Sequence, residues 1–322
     1  MEELTIVIVS YQSCDFILQN IRLINHLNCS RSVKIVVVDN ANESLGDKIE
    51  FPNTITINGA TRRGDETASD HHYRGIETGL SYVDTRFLLV LDPDFYVIRK
   101  KWIQDILGFM KQRDLAILGA PWHPQHFVKW RYFPCSHCLF IDGKKIPISE
   151  VDLSPGFNQS CEFRGQPAPR KMATRAYEGI LRRIFRKRAA SIGHSCDTGY
   201  AFFRKYCRST EYQIDLFQPV WRRIGMKRLC EFLLPDFLSY IPKRPNYFSD
   251  RGMEEFGLPN CEQHYWEEFL WKNKPWGFHI RCYPKKYLHD KNKKTEYFRT
   301  ILKPFLNNII EFHNKEFREP LG

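Results

Sequence analysis

The chain has 322 residues, 43% of them hydrophobic and 26% charged, with 10 cysteines and a formal net charge of +11. That length and composition accommodate one large α/β domain, or a core domain with a smaller attachment, and exclude a wholly disordered chain. The positive charge directs attention to anionic partners: phosphorylated small molecules, anionic lipid headgroups or nucleic acid.

Met1-Glu2-Glu3 is acidic where a secretion signal is basic, and Leu4 to Val9 is too short for its apolar region. No apolar run approaches the ~20 residues that span a bilayer. A cytoplasmic protein is therefore expected, with its cysteines reduced. Cys135-Ser136-His137-Cys138 carries one half of a zinc spacing, with Cys161 and Cys196 as distant partners; buried thiols are the favoured reading.

In chain order, Leu4-Thr5-Ile6-Val7-Ile8-Val9 is a β-branched run that suits a strand buried on both faces. Residues 16–27 carry apolar side chains at helical spacing. Lys34-Ile35-Val36-Val37-Val38 is a second buried strand ending at Asp39-Asn40, and Thr54-Ile55-Thr56-Ile57 a third ending at Asn58-Gly59. Residues 73–83 read as a helix, and Phe87-Leu88-Leu89-Val90-Leu91 as a fourth strand that stops at Asp92-Pro93-Asp94. This alternation predicts a mainly parallel sheet covered by helices on both faces. Beyond about residue 120 the pattern loosens: a Pro-, His- and Trp-rich loop, a short strand at Leu139-Phe140-Ile141, an irregular stretch at 151–170 and a basic helix at about 170–190. A helix after Asp197 and a C-terminal helix over 295–320 complete the expectation.

An open parallel sheet binds its ligand at the carboxyl ends of its strands. The residues placed there are Ser10-Tyr11-Gln12, Asp39-Asn40, Asn58-Gly59 and Asp92-Pro93-Asp94. No Gly-rich phosphate loop follows the first strand, which disfavours a Rossmann dehydrogenase or a P-loop NTPase. A nucleotide diphosphate bound without such a loop needs its charge offset otherwise, and carboxylates holding Mg²⁺ or Mn²⁺ do this.

Ile6 to Gln12, Ile35 to Ala41 and Phe87 to Asp94 resemble, in order and spacing, three landmarks of family 2 glycosyltransferases over about the first 120 residues. The resemblance implies a GT-A-like fold: a mainly parallel α/β sheet flanked by helices, an irregular acceptor-side half and a C-terminal helix. It implies that Ser10 and Tyr11 line the nucleobase pocket, that Asp39 hydrogen-bonds the base, that Asp92 lies near the ribose and that Asp94 ligates Mn²⁺ or Mg²⁺. Arg74 occupies a stretch from which it could reach the diphosphate. The second half departs from the family pattern, because its doubled acid is missing. Two stretches compete for the catalytic base: Asp197, followed by helical residues 201–206, and Glu262, opening residues 262–270. Asp197 is favoured. His289 stands at the spacing from Pro284 where relatives carry a metal- or diphosphate-contacting His, and a surface His beside Asp290 is its competing reading.

The expected organisation is a nucleotide-sugar-binding half at 1–124, an acceptor-binding half of the same domain at 125–292 and a helical tail at 293–322. The expected activity is metal-dependent, inverting transfer of a hexosyl-type sugar from a nucleoside-diphosphate sugar to a hydroxyl of a glycan or lipid-linked acceptor. Arg170, Lys171, Arg175, Arg182, Arg183, Arg186, Lys187 and Arg188, interleaved with apolar residues, could hold the protein peripherally on the anionic inner membrane face; a solvated helix is the even alternative. The rivals are a nucleotidyltransferase, which lacks its Gly-rich loop here, and a basic nucleic-acid-binding module, whose phosphates the acidic strand ends would repel. No nucleic-acid partner is expected.

Overall fold

The computed structural model describes residues 3–28, 33–64, 66–123, 132–155, 197–222, 247–280 and 295–315. Its strands are β1 (Leu4–Ser10), β2 (Lys34–Asp39), β3 (Thr54–Asn58), β4 (Phe87–Leu91), β5 (Phe95–Val97), β6 (Leu115–Pro121), β7 (Pro134–Asp142), β8 (Gln213–Leu216), β9 (Gln218–Pro219), β10 (Glu267–Trp271) and β11 (Lys274–His279). Its helices are α1 (Cys14–Leu27), α2 (Ala68–Leu80), α3 (Trp102–Gln112), α4 (Tyr200–Tyr206) and α5 (Lys303–Lys315).

The main sheet has seven strands in the order β3-β2-β1-β4-β7-β6-β8. Strands β3, β2, β1 and β4 run parallel, β7 runs antiparallel to both neighbours, and β8 is parallel to β6. The apolar runs explain why it is covered twice. Successive side chains of a strand point to opposite faces. Leu4, Ile6 and Ile8 of β1 with Ile35 and Val37 of β2 face the cluster that takes the inner side of α1 (Phe16, Ile17, Ile21, Ile24). Val7, Val9, Val36 and Val38 face the other side, where Ile76 of α2 packs. Each such buried aliphatic contributes roughly 1.5–3 kcal/mol relative to an exposed one, so the sheet's register is strongly fixed.

Helix α2 begins earlier than residue 73, the start read from the sequence. Thr67 Oγ1 accepts from Asp70 N and Asp70 Oδ2 accepts from Thr67 N, a reciprocal cap that extends the helix toward the sheet end. A Cβ at Gly75 would meet Val9 Cγ1 at 2.6 Å and Asn40 Nδ2 at 2.7 Å, so α2 lies directly on the ends of β1 and β2.

A second sheet, β5-β11-β10-β9, starts from the residues just after the Asp-Pro-Asp turn. Aromatic rings join it to the main sheet: Phe217 stacks on Trp276 at 4.3 Å, and Trp102 meets Trp276 edge-on at 5.9 Å. Helix α5 buries Phe305, Leu306 and Ile309 against this layer, with Phe305 edge-on to Trp266 at 4.7 Å.

The C-terminal helix matches its expectation within the described residues. Strand β7 is longer than the three residues read from sequence, and β6 and α3 were not read at all. Residues 262–270 do not form a helix opened by Glu262: a 3₁₀ turn (Glu262–His264) leads into β10, whose side chains are buried on both faces. The basic segment 170–188 lies outside the described residues, as do Cys161 and Cys196. No described helix is long and apolar enough to cross a membrane.

Candidate active site

The Asp92-Pro93-Asp94 turn connects β4 of the main sheet to β5 of the second one, and three elements hold it. Asp92 N donates to His137 O on β7 at 3.0 Å. Asn20 Nδ2, from α1, donates to Pro93 O at 3.3 Å and to Phe95 O at 2.9 Å. Ile280 N donates to Asp94 O at 3.0 Å. The last bond continues the antiparallel pairing of β5 with β11, in which His279 stands opposite Phe95.

That register delivers a histidine to the turn. His279 Nε2 lies 3.3 Å from Asp94 Oδ1 and 3.7 Å from Asp92 Oδ2. Its other nitrogen, Nδ1, is 3.1 Å from Glu267 Oε2, and Glu267 is fully buried directly across the β10–β11 ladder. The His137 ring stacks on the His279 ring at 4.7 Å, and Phe95 packs against both. Burial opposes a charge on His279, but Asp94 and Glu267 outweigh it and hold its pKa up at about 10.

One ligand atom from each of Asp92, Asp94 and His279 lies within 4.8 Å of the others, and among the described residues this is the one such group of three or more. Two carboxylates and an imidazole suit Mn²⁺ or Mg²⁺ better than a soft-metal site. A histidine whose far nitrogen is bound to a buried carboxylate is the usual way a metal-binding imidazole is oriented. The residues fit a divalent cation.

Two cavities meet at this group. One, of about 330 Å³, is lined by Val9, Tyr11, Asn40, Arg62, His71 and His72 together with Asp92 and Asp94. The other, of about 230 Å³, is lined by Trp122, Cys135, Ser136, Asp197 and Thr198 with the same two aspartates, His72 and His279.

Of the residues singled out in the sequence, Tyr11, Asp92, Asp94 and Asp197 line these cavities. Tyr11 is 49% exposed and stands edge-on to the His71 ring at 5.5 Å. Ser10 is buried beneath, its hydroxyl 3.1 Å from that of Ser13. Asp39 is also fully buried; its carboxylate accepts from Ala41 N at 3.1 Å and Leu45 N at 3.3 Å. The neighbouring Asn40 reaches the cavity wall, with Nδ2 donating to His71 O at 2.8 Å. Arg74 is turned to Glu66, 2.8 Å away, and Arg62 is the arginine on the cavity. Glu262 lines a separate cavity with His123, Trp221, Arg222 and Glu268. His289 lies outside the described residues. Cys135 and Cys138 are buried thiols; Cys135 contacts His137, and burial raises the Cys138 pKa.

Sequence patterns point to neither His279 nor Glu267 as a candidate site residue. The available signal was a Glu and a His in mostly apolar strands, where a buried charge needs a partner.

No family model and no curated protein matches the chain. Among solved structures, the chain is similar to mannosyltransferase PcManGT from Pyrobaculum calidifontis in complex with GDP-Man and Mn²⁺, at 11% identity and a TM-score of 0.34, over 45% of each chain. It is also similar to S. aureus TarS 1-349 in complex with UDP-GlcNAc, at 17% identity and a TM-score of 0.30, over 37% of this chain and 34% of that one. A third likeness is to galactosyltransferase LgtC in complex with donor and acceptor sugar analogs, at 14% identity and a TM-score of 0.32, over 44% of this chain and 58% of that one. Each likeness spans less than two thirds of the solved chain.

Proposed function

We propose that this chain is a metal-dependent glycosyltransferase that moves a sugar from a nucleoside-diphosphate sugar to an acceptor hydroxyl, with inversion at the anomeric carbon. The observation that carries the reading is the Asp92–Asp94–His279 group, placed at the carboxyl ends of the parallel strands where two cavities meet.

The larger cavity takes the nucleotide. Tyr11 offers its half-exposed ring to the base, Asn40 and His72 offer polar edges, and Asp92 lies where the ribose and diphosphate would pass. Asp39 supports this wall by holding the amides of Ala41 and Leu45, and a carboxylate has further acceptor capacity for a base N–H. Asp92, Asp94 and His279 would hold Mn²⁺ or Mg²⁺, which neutralises diphosphate charge when bound. Glu267 accepts from Nδ1 of His279 and so aims Nε2 at the two aspartates.

The smaller cavity takes the acceptor. Its lining is mostly polar and hydrogen-bonding, which suits a hydroxylated glycan end, free or lipid-linked. Asp197 acts as general base: it takes the proton of the acceptor hydroxyl as that oxygen bonds to the anomeric carbon and the glycosyl–phosphate C–O bond breaks. Apart from the two aspartates of the cation group, Asp197 is the carboxylate lining this cavity, and a single displacement needs one base.

The direct test is thermal stabilisation by UDP-, GDP- and dTDP-linked sugars with Mn²⁺, against an oligonucleotide control. Stabilisation by a nucleotide sugar that depends on Mn²⁺ supports the reading; stabilisation by the oligonucleotide alone favours a nucleic-acid module. Release of pyrophosphate from a nucleoside triphosphate supplied with a sugar 1-phosphate would instead identify a nucleotidyltransferase.

A further inference from the structure

The Asp197–Thr198 turn is bonded to the first turn of α2, the helix that walls the nucleotide cavity. Asp197 Oδ1 accepts from Ser69 Oγ at 3.0 Å and from its neighbour Thr198 N at 3.0 Å. In return, Thr198 Oγ1 donates to Ser69 O at 3.1 Å. Thr198 Oγ1 also lies 3.3 Å from His72 Nδ1. His72 Nε2 in turn lies 3.6 Å from Asp92 Oδ1. Side chains from two distant parts of the chain thus meet here, with Ser69, Thr198 and Asp197 joined by hydrogen bonds.

We propose that Ser69 and Thr198 are positioning residues that lock the Asp197 carboxylate to α2, so that the acceptor-side base and the donor-side wall move as one body. The inference rests on the functional reading above, in which Asp197 is the base. An aspartate side chain has two rotatable bonds, and a general base works only within hydrogen-bond reach of the proton it takes. Fixing one carboxylate oxygen with two donors removes that freedom. Helix α2 is a suitable anchor: its start is capped by Thr67 and Asp70, and Gly75 seats it on the ends of β1 and β2. A misplacement of about 1 Å at a reacting group can cost on the order of a hundredfold in rate, so the lock should act on turnover and leave donor binding alone.

The test compares Ser69→Ala and Ser69→Thr with the unaltered protein, reading UDP or GDP released from UDP-glucose, UDP-N-acetylglucosamine and GDP-mannose with Mn²⁺, water serving as acceptor. Ser69→Ala is expected to lower turnover by about tenfold or more, the scale of one lost hydrogen bond to a charged group. Donor KM should change less than about twofold, the size of a surface change, and melting temperature should hold. Ser69→Thr, which restores a hydroxyl, is expected to recover most of the rate. Full turnover in Ser69→Ala, a rate loss that tracks a rise in KM, or no recovery with threonine would each overturn the inference. Asp94→Asn and Asp197→Asn in the same assay separate the two levels. If both lose turnover while Ser69→Ala does not, only the positioning role fails. If neither loses it, or the unaltered protein releases nothing, the functional reading fails and takes the inference with it.

Discussion

His279 Nε2 points at the Asp94 carboxylate from 3.3 Å while Glu267 holds Nδ1 from the opposite side at 3.1 Å. The imidazole is thus suspended between a carboxylate at the cavity and one in the core, and both favour its protonated form.

This arrangement makes cation binding pH-dependent. The pKa of His279 is raised from its usual 6.5 to about 10, so in the metal-free protein its contribution to stability is fully present below about 6.5 and is lost as pH rises through about 10. A cation on Nε2 must displace that proton. Apparent Mn²⁺ affinity, measured by calorimetry, should rise between pH 6.5 and 8.5 by up to about tenfold per unit, with proton release detectable as a buffer-dependent heat. Affinity that is flat across this range would remove His279 from the ligand set.

Glu267→Gln keeps the shape of the buried partner and removes its charge. Loss of the orienting carboxylate behind a metal-binding histidine typically weakens the metal by about 10–100-fold. Mn²⁺ titration of this variant should show that loss, with Asp92 and Asp94 untouched. Unchanged affinity would mean that Glu267 serves only the packing of β10.

Asp39→Ala leaves two backbone amides, those of Ala41 and Leu45, without their charged acceptor. The expected cost is about 1.5–3 kcal/mol for a bond to a charged group, read from urea unfolding, with weaker UDP or GDP binding through a loosened cavity wall. Weaker nucleotide binding at unchanged stability would instead place Asp39 on the base itself.

The two candidate bases sit in different cavities, which separates them experimentally. Asp197→Asn should lower turnover by roughly a hundredfold or more at nearly constant donor affinity, and Glu262→Gln should stay within about threefold of the unaltered protein. The reverse pattern would move the chemistry to the cavity beside Arg222.

The donor side was legible in sequence because it is built from local patterns. Runs such as Ile35 to Val38 state their own burial, and the polar residues that end them mark the ligand edge. Asp92 and Asp94 could therefore be placed at that edge from order along the chain. His279 was not, because its position depends on the pairing of β11 with β5, a contact between segments far apart in sequence that no periodicity encodes. A spacing rule pointed to His289 instead. Ser69 was overlooked for the same reason: its partner, Asp197, reaches it only through tertiary packing. The start of α2 was misplaced because the capping signal Thr67 to Asp70 was not weighed against the polar loop before it.

The role proposed for Asp94 is to help hold a divalent cation on which nucleotide binding depends. Calorimetric titration of UDP and GDP into the protein, with Mn²⁺ and after EDTA treatment, tests it against the variant Asp94→Asn. Mn²⁺-dependent binding of at least one nucleotide to the unaltered protein is expected, abolished by EDTA and restored by added Mn²⁺. In Asp94→Asn the melting temperature should be kept while that binding is weakened by about tenfold or more. Nucleotide binding of equal strength in Asp94→Asn, or binding indifferent to EDTA, would contradict it.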